Sequence, residues 1–192
     1  FPKAVVLEKT TVCNLINESD NQSTIEVSQN DVVCAKIKLT FNRNEQDILE
    51  INDSWIIDGN PPKAEPKDFK FEELKNKTGI LDQYLKKDKF SRVFPNVIKF
   101  INRYHIATLL SSTRLIGMHC PGLNSLISSL EFSFIRNVSI EKKLNYKVSK
   151  LDERFNMLFI NLSALNFSGK IRTFIRPSPV DQLKFTEVVG HI

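Results

Sequence analysis

The sequence predicts an α+β fold in which a curved antiparallel sheet wraps a long central helix. Two observations carry that prediction. From Pro95 to Ile116, the residues Ile98, Ile101, Ile106, Leu109, Leu110, Thr113 and Ile116 recur close to the i, i+3, i+4, i+7 spacing of one helical face. After that helix, three strand-like runs follow with no helix between them, so their apolar faces can only be buried against the helix that precedes them. The chain has 192 residues, 41% of them hydrophobic and 14 of them Phe, which is enough to fill such a core.

Taken in order, the first elements read as strands. AVVLEKTTVCNLI (Ala4–Ile16) and STIEVSQNDVVCAKIKLTF (Ser23–Phe41) are rich in β-branched residues, and Ser28-Gln29-Asn30-Asp31 supplies turn chemistry for a hairpin. Residues 52–68 hold three of the eight prolines and almost no periodicity. They read as a linker, with Trp55, Ile56 and Ile57 to pin it down. The organisation expected is therefore an N-terminal hairpin segment over 1–51, a linker over 52–68, a main domain over 69–177 and a tail over 178–192.

Within the main domain, FKFEELKNKTGILDQYLKK (Phe69–Lys87) reads as a short helix interrupted at Gly79. Pro95 suits the first turn of the long helix, which has a weak point near Asn102-Arg103, and Gly117 with Pro121 marks its stop. The three strand runs are Leu126–Ile140, Leu144–Glu153 and Arg154–Pro177. Leu130, Phe132 and Phe134 alternate with Ser129, Glu131 and Ser133, and Phe155, Met157 and Phe159 form a similar row. Turns are expected at Leu151–Arg154 and Phe167–Lys170.

Charge and cysteines exclude several classes. The net charge of +5 comes from 27 basic and 22 acidic residues scattered along the chain, with no basic stripe interleaved with aromatics, so no nucleic-acid partner is expected. Cys13, Cys34 and Cys120 are odd in number and widely spaced, which fits neither a disulfide framework nor a zinc site and points to a reducing, cytoplasmic setting. No apolar run approaches the ~20 residues of a membrane helix. The chain begins at Phe1 rather than Met, which points to a processed chain or an excised segment. Asn-x-Ser/Thr sequences at Asn17, Asn21, Asn76, Asn137, Asn161 and Asn166 arise readily in an Asn-rich chain and carry little weight.

The order of elements and several passages resemble the hotdog fold, and within it the MaoC-like acyl dehydratases and hydratases. The resemblance covers roughly Phe69 to Pro177. TRLIGMHCPGLNSLISSLEFSF (Thr113–Phe134) is similar to the passage joining the central helix to the next strand in hotdog domains fused ahead of a short-chain dehydrogenase/reductase, and RPSPVDQLKFTEVVG (Arg176–Gly190) to the lead-in to that reductase. The N-terminal strands resemble the closing strands of a preceding hotdog. The resemblance implies an acyl-CoA or acyl-carrier-protein thioester as ligand, hydratase or dehydratase chemistry, no cofactor, and a homodimer or a paired hotdog domain.

The chain departs from the family's catalytic pattern. Where an Asp/His loop would precede the central helix it has NKTGILDQYL, offering Asp82 and no histidine, and where an A-H-G-like passage would start the helix it has Phe94-Pro95-Asn96. The candidate catalytic residues are thus His105, His119 and Asp82, each with a plainer reading: a core or interface histidine, a turn residue beside Cys120, and a solvated carboxylate. Asn96, Gly122, Asn124 and Ser125 are the candidate substrate-binding residues. Two functions stand side by side: a degenerate hydratase or dehydratase half that binds substrate or supports an active partner, and a non-catalytic thioester-binding module or acyl thioesterase.

Overall fold

A computed structural model describes residues 9–40, 56–97, 101, 103–134, 143–164 and 167–177. The chain divides into two compact units, 1–50 and 51–192.

The first unit is a three-stranded antiparallel meander of β1 (Val12–Ser19), β2 (Gln22–Gln29) and β3 (Val32–Thr40). Asn30 and Asp31 both take positive φ, 48° and 61°, as a two-residue turn matched to strand twist requires. A second hairpin, reversing at Asp20-Asn21, extends the expected single hairpin into a meander. Leu15, Ile25 and Ile37 share one cross-strand row, and Glu26 bonds Lys36 at 3.1 Å on the opposite face.

The second unit holds a five-stranded antiparallel sheet in the order β4-β6-β7-β8-β5, from β4 (Thr78–Asp82), β5 (Ser125–Phe134), β6 (Lys143–Asp152), β7 (Met157–Ala164) and β8 (Phe167–Ile175). β4 and β5 are the two edges, and the chain between them contains the helices α1 (Lys87–Val93) and α2 (Arg103–Arg114). A connection that leaves one edge and returns at the other has to cross a face of the sheet, and it does so over the apolar one. There Leu144, Tyr146 and Val148 of β6, Leu158, Ile160 and Leu162 of β7 and Phe167 and Ile171 of β8 are buried with Tyr104, Leu115, Ile116 and Cys120 from the crossing segment. Bulges in β5 between Ile127 and Ser129, and in β6 between Val148 and Lys150, bend the two strands.

Four expectations need correction. The helix is not long: α2 has 12 residues and passes into a π-type turn at Leu115–His119. Pro95 and Asn96 lie in a separate turn ahead of it. The apolar spacing misleads because the buried stripe is Tyr104, Ala107, Thr108, Ser111, Ser112 and Leu115, small or polar in its middle, while Leu109 and Leu110 are each 43% exposed. The stretch after Phe69 is a single 3-10 turn (Phe71–Leu74) followed by β4, and Gly79 is a strand residue: a Cβ there would lie 2.5 Å from the Tyr146 ring of β6. In β7 the buried row is Leu158, Ile160 and Leu162 rather than Met157 and Phe159, because Asn161 and Ser163 share the parity of Phe159 and belong outside. Phe167–Lys170 is strand, not turn, since Ala164 already pairs with Phe167. The expected turn at Leu151–Arg154 does form, as a 3-10 turn over Glu153–Phe155 entered from Asp152. The strand run beyond Phe134, as far as Ile140, and the tail beyond Pro177 lie outside the described residues.

The segment before β4 is tied to the core by its backbone. Ile57 exchanges hydrogen bonds with Gln83 and Leu85, Ile56 is buried against Leu85, Ile106 and Ala107, and Asp58 Oδ1 accepts the Lys87 N–H at the start of α1. Further on, Lys67 donates to the Met118 carbonyl and accepts from the Leu123 N–H, fastening the corner that follows α2.

That corner explains a glycine. Gly122 has φ +92°, and a Cβ would collide with the Lys67 carbonyl oxygen, whereas Gly117 has open space around it and no positive φ. Gly122→Ala is expected to lower the unfolding free energy by about 2 kcal/mol or more, from backbone strain plus the clash. Gly117→Ala is expected to leave it unchanged or raise it by up to about 1 kcal/mol. Urea denaturation of the two variants checks the contrast, and equal effects would refute it.

Candidate functional site

The corner Arg114–Leu126 gathers four of the candidate residues and occupies most of them structurally. Gly122 is buried and donates its N–H to the Ile116 carbonyl. Asn124 holds a left-handed φ of 63° and its carbonyl accepts from Arg176. Ser125 starts β5 and spends its hydroxyl on the Ile116 carbonyl at 2.9 Å. Cys120 is fully buried among apolar neighbours, which push its thiol up to about 11, so the Cys120–His119 neighbours form no thiolate nucleophile at neutral pH.

His119 is half-buried, and its Nε2 is enclosed with no hydrogen-bond partner among the described residues. Burial first, then the nearby Arg114 and Lys67 charges, lower its pKa. A neutral imidazole at the edge of the corner results. No carboxylate is among the groups that shift it, so the orienting partner a general base needs is missing there.

The other candidates lie elsewhere. His105 stacks on Phe134 with ring centroids 3.8 Å apart, and burial lowers its pKa, so it too is neutral. It is nine residues from Arg114 along α2, which at a rise of about 1.5 Å per residue places it roughly 13 Å from the start of the corner. Asp82 is the exposed last residue of β4, its side chain alternating with the buried Leu81 and Gln83. Asn96 is exposed in the turn before α2. The fold therefore brings His119, Gly122, Asn124 and Ser125 to one corner, with His105 roughly 13 Å from its start along α2.

What the sequence reading missed is a groove of about 650 Å³ between α1 and α2. Its walls are apolar: Leu85, Phe90, Val93 and Phe94 from the α1 side, with Leu110 and Met118 from α2 and its π turn. Lys86, Lys89 and Arg114 also line it, and among the described residues no Asp or Glu does. Arg114 is held by the Tyr84 ring, its guanidinium carbon 5.5 Å from the centroid, and Phe90 packs on Phe94 at 5.1 Å. None of the seven candidate residues lines this groove. The available signal was KKDKFSRVF (Lys86–Phe94), where Phe90, Val93 and Phe94 fall one helical turn apart beside basic residues.

No protein-family profile matches the chain, and no curated protein matches it. Among solved structures the chain is similar to an (R)-hydratase from A. caviae involved in PHA biosynthesis, with TM-score 0.40, 16% identity, 53% of this chain and 96% of that one covered. It is also similar to an R-hydratase from Pseudomonas aeruginosa in unliganded form (TM-score 0.38, 12% identity, 60% and 95% covered). An acyl-CoA hydrolase from Agrobacterium tumefaciens matches more loosely, with TM-score 0.26, 12% identity, and 90% of this chain and 71% of that one covered. Among the described residues no helix is long and apolar enough to cross a membrane, and no group of three metal-ligating side chains gathers.

The two histidines give a pH signature. Both pKa values are lowered in the folded chain from 6.5, so folding favours the neutral forms. Their contribution to stability is complete above about pH 6.5 and is lost as pH falls below it toward the folded values. Unfolding midpoints are expected to drop between about pH 6.5 and 5, and His105→Gln with His119→Gln is expected to flatten that window. An unchanged slope in the double variant would show that neither histidine is held neutral by the fold.

Proposed function

We propose that residues 69–177 form a hotdog unit that, with the segment leading into it, binds an acyl thioester, carried by coenzyme A or an acyl carrier protein, without the acid–base groups that hydrate or dehydrate it. The observation that carries this reading is the groove between α1 and α2. An apolar channel lined, among the described residues, also by three cations and by no carboxylate suits a ligand with a hydrocarbon tail and a phosphate-bearing carrier. The spacing of His105 from the corner along α2 supports binding over turnover, because proton transfer needs both groups within hydrogen-bond reach of one substrate atom.

The order β4-β6-β7-β8-β5, with the helix crossing from edge to edge, supports the hotdog reading. On that reading 52–68 is the lead into the hotdog unit and 1–51 is the end of a preceding one, with a reductase domain following the tail. The free edge β5 carries Leu126, Ile127 and Leu130 partly exposed, and pairing with the β5 of a second copy, or of a companion hotdog that supplies the missing acid and base, would cover it. The free thiols fit a cytoplasmic protein.

Isothermal titration of the whole chain with saturated acyl-CoAs of increasing length tests the reading. Affinity is expected to rise with chain length until the groove is filled, and Leu110→Asp is expected to weaken it at least about tenfold, a loss of ~1.4 kcal/mol. Lys89→Gln and Arg114→Gln are expected to weaken binding less at high salt than at low salt. With trans-2-enoyl-CoA no loss of enoyl absorbance is expected. Turnover that disappears in His105→Ala or His119→Ala would overturn the non-catalytic assignment, and the absence of any acyl-CoA binding would overturn the ligand.

A further inference from the structure

We propose that the outer face of the five-stranded sheet carries a second site, for a nucleoside phosphate, centred on Phe159. Strand register places Arg172, Phe159 and Lys150 in one row across β8, β7 and β6, with Lys170 opposite Asn161 in the row beside it. This face is turned away from the core, since Leu158, Ile160 and Ile171 alternate with these residues and are buried. A depression of about 290 Å³ opens around the row.

Three independent features make it more than a scatter of surface charge. First, both sheet bulges adjoin this row, one ending at Ser129 opposite Arg172 and the other at Lys150 opposite Phe159, and bulges re-aim the side chains beside them. The Ser149 hydroxyl, inside the second bulge, donates to the Phe159 carbonyl at 3.0 Å and fixes that local shape. Second, Phe159 is flanked by cations on both neighbouring strands: Lys150 Nζ is 5.3 Å and the Arg172 guanidinium carbon 5.8 Å from the ring centroid. Third, the depression is lined by Lys150, Lys170 and Arg172 against the single carboxylate of Glu131, which leaves an excess of two positive charges.

The chemistry selects a ligand class. A guanidinium with two ammonium groups around it suits a phosphate dianion, the guanidinium through paired N–H donors. A half-buried phenyl ring beside a guanidinium plane is a stacking surface for a base, and the Asn161 amide, exposed in the next row, offers both a donor and an acceptor to a base edge. The volume falls near the low end of ligand sites, roughly 300–1,000 Å³, which suits one nucleotide and not a helix or a folded partner. A run of stacked bases would need further aromatics along the face, and the depression has one.

Titration of the whole chain with AMP, adenosine and inorganic phosphate, followed by calorimetry at low salt, tests the site. AMP is expected to bind with Kd below about 1 mM, and adenosine and phosphate alone at least about tenfold more weakly. Arg172→Gln and Phe159→Leu, checked by thermal melting to be folded, are expected to weaken AMP about fivefold or more, while the groove variant Leu110→Asp leaves it unchanged. Because Arg172 is exposed, its variant reads binding even if Phe159→Leu destabilises the sheet. No AMP binding, or AMP binding that neither sheet variant weakens, would overturn the site. Binding of a single-stranded oligonucleotide more than about a hundredfold tighter than AMP would replace it with an extended nucleic-acid platform.

Discussion

A buried hydrogen bond sets the rotation of α2. Thr108 Oγ1 donates to Gln83 Oε1 at 2.7 Å, and both residues are fully buried. Gln83 directly follows β4, so this bond joins the crossing helix to the extension of an edge strand, and rotating the helix to bury Leu109 and Leu110 instead would strand two polar groups. Each would cost about 1–3 kcal/mol. Ser112, one turn on, returns its hydroxyl to the Thr108 carbonyl, so that buried hydroxyl is satisfied within the helix.

The groove follows from that rotation. With the small, polar stripe turned inward, Ala107 and Ile106 approach Ile56 and Leu85 closely, and Leu110 is left facing the apolar side of α1. The same choice places His105 against Phe134, where it is desolvated. On the proposed reading, the packing that opens the groove also leaves His105 apart from the corner.

How much of this was legible in the sequence depended on the length over which each signal ran. The closing strands were readable because alternation persists through Leu144–Val148 and Leu158–Leu162, although both parities of β7 begin with apolar residues and only Asn161 and Ser163 reveal which is outside. The Asn30-Asp31 turn was readable because its residue types tolerate positive φ. β4 was not, since five residues containing a glycine carry too little pattern, and the reason for Gly79 is the Tyr146 ring from a strand more than sixty residues later. The inward face of α2 was hidden for the same reason: hydrophobicity pointed to Leu109 and Leu110, while the partner that decides the matter, Gln83, is polar and distant in sequence. The corner at Gly117–Ser125 was read correctly as a turn, but which of its groups were already spent on backbone carbonyls required coordinates.

The most direct measurement is a methyl-resolved NMR titration of the chain with a non-hydrolysable acyl thioester analogue. The account predicts shifts concentrated on Leu85, Val93, Leu110 and Met118, with Leu126 and Ile127 at the start of β5 unaffected. Shifts centred on Leu126, Ile127 and the neighbours of His105, with Leu85, Val93 and Leu110 silent, would contradict it.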